Sequence, residues 1–415
     1  MPILILIFII FLIIGCVQKN KIALFISISL GLVFAWFIIY FILTLIFLPH
    51  ALWLTWIIFV AIFFIILICI GKPFYPQTQK FTVFGLTAVI VISLCAATIA
   101  TIYQNSIPEA SEIVSLRYYE PFRENTLTKS LDEPSYLRFE DNLPRIDGAT
   151  ALYPLYAAFV RATYPAGEYK VDKYIGQDGA TVVCSTTSNA FWELIKGKAD
   201  VIFLANISNE QRKIAHEHEI ELKLTPIGKE AFVFFVNSRN SVSNLTVEDI
   251  QGIYSGKITN WREVGGKNNS IRAYQREKNS GSQTALQHIM ENVRIMTPPK
   301  GKAGAIGPMS GIYEVVADYR NYKNSLGFSF HYYITGMIAE NKVKLLSING
   351  IEPSTESIAN GTYPFVGDFY AITAVRDYEI EEDKIRAENT QKLIEWILSP
   401  QGQSLVEKTG YVPLF

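Results

Sequence analysis

The sequence predicts an α/β domain with a mostly parallel sheet, preceded by four transmembrane α-helices. Two observations carry this expectation. From Met1 to Ser106 there is no Asp, Glu or Arg, and Lys19, Lys21, Lys72 and Lys80 are the only charged residues, so this part carries +4. The remainder carries −5 and has an ordinary soluble composition, with short apolar runs alternating with segments of helical spacing, the pattern of a parallel sheet with covering helices.

Four apolar stretches stand in the first part, at about 2–17, 22–48, 51–70 and 81–103. A spanning helix needs roughly 20 apolar residues, and the last three reach that length. The first is short, and Ile13-Ile14-Gly15-Cys16 resembles a lipoprotein cleavage box. No positive charge precedes it and three more spans follow, so it reads as a helix, with a cleaved segment as the other reading. The lysines fall between spans one and two and between spans three and four. Positive loops stay in the cytoplasm, which puts the chain after Tyr103 outside the cell. No ionisable residue lies at mid-span, so anchoring is the expected role. The expected localisation is a multi-pass cell-membrane protein with its larger domain extracytoplasmic.

Residues 105–144 are polar, contain Pro121, Pro134 and Pro144, and read as a linker. Ordered structure is expected from Arg145. Arg145-Ile146-Asp147 is a short strand, and Tyr153–Arg161 has helical spacing. Thr181-Val182-Val183 reads as a strand and Ala190–Lys196 as a helix. Val201–Leu204 and Ala231–Val236 are buried strands. Leu245–Ser255 is a helix with Thr246 as its cap. The span from residue 145 to residue 415 is large enough for two lobes with separate cores. No basic stripe favours nucleic acid as a partner. Cys184 is the sole cysteine of this part, so it closes no internal disulfide and reads as a small core residue.

Three loops share one chemistry. Gly148-Ala149-Thr150-Ala151, Ser185-Thr186-Thr187-Ser188 and Asn279-Ser280-Gly281-Ser282-Gln283-Thr284 each end a strand, offer hydroxyls and open a helix. Such loops present backbone N–H groups and a positive helix end to an anion. Each loop alone is equally well read as a helix cap. Arg276, just before the third, adds the planar guanidinium that a tetrahedral oxyanion accepts in two places. An uncharged hydroxyl and backbone cage with one arginine suits reversible binding rather than catalysis. No metal cluster, catalytic triad or carboxylate pair stands at these loops, so neither an enzyme nor a cofactor is expected. His216 and His218 have the wrong spacing for one helix face and read as solvated.

The same residues carry a family resemblance. Gly148-Ala149-Thr150-Ala151-Leu152-Tyr153-Pro154-Leu155 looks like the opening motif of the phosphate-binding periplasmic proteins. The run Leu245–Trp261, the stretch from Arg276 through Ser280-Gly281-Ser282, and Ile358-Ala359-Asn360-Gly361-Thr362-Tyr363-Pro364 resemble later motifs of that family, in order. The resemblance covers about 145–415. It implies a type 2 periplasmic-binding-protein fold: two α/β lobes joined by two crossing strands, with ligand between them. Lobe I would span about 145–232 and 331–415, and lobe II about 233–330. The first crossing would lie near Ala231–Val236 and the return near Gly327–Tyr333.

The resemblance also implies a ligand set of Thr150, Ala151, Thr186 or Thr187, Arg276, Ser280, Gly281 and Ser282. Asn206 and Lys278 stand where the family carries acidic residues, one of which accepts a hydrogen bond from a protonated phosphate oxygen. Asn206 can accept or donate. Discrimination against sulfate is therefore expected to be weaker. The function implied is capture of phosphate, or a similar oxyanion, for an ABC permease; the alternative is a membrane-bound oxyanion sensor without a transport role.

Overall fold

The computed structural model describes residues 114–415, apart from 292, 299–304, 307–308, 318–322 and 339–341. The four expected spans within residues 1–104 lie outside the described residues. Among the described residues, no helix is long and apolar enough to cross a membrane.

The chain from Ile107 onward forms one compact unit. It opens with β1 (Ile146–Gly148), α1 (Tyr153–Thr163), α2 (Thr186–Ile195), β2 (Val201–Leu204) and α3 (Asn209–Glu217). The 16-residue strand β3 (Leu222–Asn237) follows, then β4 (Asn244–Leu245), α4 (Val247–Ser255), β5 (Arg272–Ala273), β6 (Gln275–Arg276) and α5 (Gly281–Met290). After β7 (Ala305–Ile306) come α6 (Met309–Ala317), β8 (Ser325–Phe330), β9 (Val343–Leu345), β10 (Ser347–Ile348) and α7 (Thr355–Ala359). The chain ends with β11 (Val366–Ala374), α8 (Glu381–Ile397) and α9 (Pro400–Thr409).

One seven-stranded sheet runs through both lobes in the order β1-β2-β11-β3-β8-β5, with β9 also paired to β3. β1 and β2 are parallel, as are β5 and β8, while β11 and β3 run antiparallel to their neighbours. The sheet is thus mixed rather than mostly parallel. β3 changes partner midway. Leu222–Ala231 pairs with β11 in lobe I, and Phe232–Val236 pairs with β8 in lobe II. The apolar run Ala231–Val236 is buried throughout, because both faces of the sheet are covered there.

The second crossing lies later than the sequence reading put it. After β8 the chain touches lobe I at the hinge, where the Tyr332 and Tyr411 ring centroids are 4.5 Å apart, and then runs on in lobe II: β9 pairs with Phe235–Asn237 and β10 with β4. It returns next to β3 at Phe365, whose carbonyl accepts the Phe232 N–H at 2.9 Å, and then enters β11. The Gly327–Tyr333 segment was misread because an apolar strand looks the same in either lobe, and pairing register is absent from the sequence. The expected strand at Thr181–Val183 shrinks to a single bridge between Val182 and Ile146. From residue 114 on, the stretch read as a linker carries a 3-10 turn at Leu116–Tyr119 and sends Val114, Tyr119 and Phe139 into the core.

Local signals set the helix ends. Thr246 caps α4: its hydroxyl accepts the Asp249 N–H at 3.0 Å, and Asp249 accepts the Thr246 N–H at 2.9 Å. Gly256 ends that helix in a left-handed conformation. Replacing Thr246 by Ala removes one arm of this pair and should lower stability by about 1 kcal/mol in urea unfolding; an unchanged midpoint would show that the cap contributes nothing.

Candidate functional site

The three helix-opening loops meet where the lobes face each other. The first two are braced by Asp147, a fully buried residue of β1. Its Oδ1 accepts the N–H groups of Gly148 at 2.7 Å and Ser185 at 2.8 Å, and its Oδ2 accepts the Ser185 hydroxyl. Burial pushes this carboxyl up to about 6, and the bonds from Ser185 and Gly148 oppose that rise. A Cβ on Gly148 would lie 2.7 Å from the Phe203 carbonyl and 2.9 Å from the Tyr156 ring, so only glycine lets the first loop leave β1 this close to β2. The Tyr411 hydroxyl donates to the Ala151 carbonyl from behind.

In the second loop Thr186 has φ of 78°. A β-branched residue in that region is strained by on the order of 1–3 kcal/mol, and the Asp147–Ser185 bonds hold the backbone on its N-terminal side. Cys184 lies under the loop, its thiol 3.5 Å from the Gly148 carbonyl, and burial pushes it up to about 12, which makes it inert.

The third loop comes from lobe II. The Ser280 hydroxyl accepts the Gln283 N–H at 3.3 Å and caps α5. The first-turn N–H groups of Gly281 and Ser282 have no acceptor within the helix. The Arg276 N–H donates to Gln283 Oε1 at 2.8 Å, which fastens β6 to α5. Burial pulls the Arg276 guanidinium down to about 10, so it stays charged at neutral pH.

Contacts across the cleft join the lobes. The Thr187 hydroxyl lies 3.0 Å from the point that a Cβ on Gly281 would occupy. The Ser208 hydroxyl is 3.0 Å from Asn279 Oδ1, and Asn279 Nδ2 donates to Glu210 Oε2 at 2.9 Å. The Lys278 ammonium is also 2.9 Å from Glu210, so its charge is answered by α3 rather than left facing the cleft. Asn206 points its amide oxygen at two donors, the Ile207 N–H at 2.8 Å and Arg212 Nη2 at 3.1 Å. What Asn206 has left to offer is its NH2, a donor.

The structure therefore brings Thr187 against Gly281, and places Thr150 and Ala151 beside the Ser185–Thr187 loop through Asp147. Asn206 and Gly281 line one cavity between the lobes. Sequence reasoning missed the roles of Asp147, Ser208, Glu210 and Asn279. Ser208 through Gln211 has the spacing of a capping box, a signal for the start of α3; nothing local marks its contact with the far lobe. A second concavity, of about 730 Å³, lies between α3 and the start of β3, lined by residues such as His216, Glu217 and Leu222. None of the three loops reaches it. Among the described residues, no group of three or more His, Cys, Asp or Glu is placed to hold a metal ion.

Two α/β lobes on a shared strand, with donor-rich loops facing across the gap, define a cleft-binding protein. The chain belongs to the PBP superfamily, whose domain model matches residues 141–401. It is similar to the phosphate-binding protein PstS of Borreliella burgdorferi, 26% identical over 223 residues that cover 52% of this chain and 75% of that one. The phosphate-binding protein PstS of Bacillus subtilis is 23% identical over 273 residues, covering 65% and 80%. Among solved structures, an ABC-type phosphate transport receptor from Vibrio cholerae aligns over 64% of this chain and 98% of its own, at 20% identity and a TM-score of 0.45.

The Asp147 proton links folding to pH. The folded state holds this proton more tightly than the unfolded chain, so the stabilisation it gives is full below about pH 4 and lost as pH rises through about 6. Asp147→Asn should therefore flatten the fall in unfolding midpoint between pH 4 and 6 relative to the native chain. Parallel pH profiles for the two proteins would remove Asp147 from that role.

Proposed function

We propose that the described domain captures a tetrahedral oxyanion, phosphate foremost, in the cleft between its lobes and delivers it to an ABC permease. The observation that carries the reading is the meeting of three hydroxyl-bearing, helix-opening loops, closest where Thr187 faces Gly281. The names of the relatives support phosphate as the ion. In this reading the Thr150 hydroxyl and the Ala151 N–H approach the anion from one side, with Thr186 and Thr187 beside them. Ser280, Gly281 and Ser282 donate from the start of α5, and Arg276 supplies the balancing charge. Asn206 donates through its NH2. None of these groups is an acidic acceptor for a protonated phosphate oxygen, so sulfate is admitted together with phosphate. No step of bond making or breaking is needed, and the protein acts by binding alone.

The first 104 residues serve as the anchor in this proposal, and the domain works outside the cell, tethered to the bilayer. The lysine loops support that orientation. A reporter enzyme fused after Asn105 should be active outside the cytoplasm; activity confined to the cytoplasm would reverse the topology.

Calorimetry on the full-length protein in detergent tests the ligand. Phosphate should bind saturably, with sulfate competing. A hydrogen bond to a charged group is worth about 1.5–3 kcal/mol, so Arg276→Ala should weaken phosphate about 10- to 100-fold. Unchanged affinity in that variant would remove Arg276 from the site.

A further inference from the structure

The cleft holds more room than a bare oxyanion fills. A cavity of about 480 Å³ opens beside the proposed cage, and Asn206 and Gly281 belong to both. The rest of its wall is largely apolar. Phe232 comes from β3, Phe330 from the end of β8 and Phe365 from the second crossing. Ala285 and Ile289 continue the α5 face that starts at Gly281. An ion of five heavy atoms displaces roughly two water volumes, on the order of 60 Å³. Sites for organic ligands measure about 300–1,000 Å³ and combine apolar walls with a few polar anchors.

The lobes are in contact beside this space. Ser208, Glu210, Lys278 and Asn279 bond across the cleft, and Thr187 meets Gly281, while the cavity persists next to them. The ionisable groups on its inner wall are also muted. Burial pushes Glu230 up to about 8, and its oxygens accept the Ala231 and Tyr332 N–H groups at 3.0 and 3.4 Å. Burial lowers the His288 imidazole, with Arg212 adding to the effect. Asp368 is half-buried and Glu291 exposed at the rim. A bare ion has no use for a wall of phenyl rings, whereas an organic group attached to it does.

We propose that the cleft takes a phosphate monoester with a compact apolar organic group, the oxyanion in the cage and the organic group against Phe232, Phe330 and Phe365. This rests on the oxyanion reading above and narrows its substrate class. The occupant is set by continuity: a ligand held at Gly281 and Asn206 has the apolar wall immediately beside it.

Calorimetry on the full-length protein in detergent, with inorganic phosphate, methyl phosphate and phenyl phosphate, tests the proposal. Phenyl phosphate should bind at least tenfold tighter than inorganic phosphate, with methyl phosphate between them. Ala285→Phe, which fills the cavity one helical turn from Gly281, should remove that preference and leave inorganic phosphate within about twofold. Retained phosphate binding also shows that the variant is folded, and the native chain alone decides the first comparison. Inorganic phosphate binding as tightly as phenyl phosphate would overturn this inference and leave the oxyanion reading intact. Equal loss of both ligands in a folded Ala285→Phe protein would overturn it too. Failure of all three ligands to bind would overturn both.

Discussion

The shared strand β3 is the constraint on which the architecture depends. Its first ten residues are hydrogen-bonded to β11 and its last ones to β8 and β9, so one continuous element belongs to two lobes. The change of partner falls between Ala231 and Phe232, and the second crossing at Phe365 is bonded to that same point. Two adjacent crossings make a hinge, and a hinge between compact lobes makes a cleft. At the facing ends of the lobes, Ser208 and Glu210 meet Lys278 and Asn279, and Thr187 meets Gly281. Glu230, kept protonated well above the usual carboxylate range by burial, sits at this hinge and accepts backbone N–H groups from both β3 and the segment after β8.

Within that frame the site is built by backbone as much as by side chains. Asp147 touches no gap; it fixes the directions in which the Gly148 and Ser185 N–H groups and the Ser185 hydroxyl point. Thr186 accepts a strained backbone and Gly281 gives up its side chain so that the loops can meet. Polar groups beside the cleft are already partnered. Lys278 is paired with Glu210, and the oxygen of Asn206 is held by Ile207 and Arg212. The proposed cage is then made of hydroxyls and backbone N–H groups, with Arg276 as its proposed cation, beside a wall of aromatic rings.

The elements themselves were largely legible in the sequence, and their relations were not. Thr246, Asp249 and Gly256 announce α4 and its ends because capping is local chemistry. The helix-opening loops at Thr186 and Ser280 were legible for the same reason. The return crossing was misplaced because β8 and β11 are both apolar strands, and nothing within either says which half of β3 it will join. Asp147 was read as part of a strand and no more. Its function depends on Ser185, 38 residues away, and on complete burial, neither of which has a local signature. Lys278 was read by its charge and Asn206 by its amide, while their partners are Glu210 across the cleft for the one and Ile207 and, from α3, Arg212 for the other.

Equilibrium dialysis of the full-length protein against radiolabelled phosphate tests the central claim most directly. The account predicts saturable uptake of one ion per chain, displaced by excess sulfate. Uptake that rises linearly with phosphate and never saturates would contradict it.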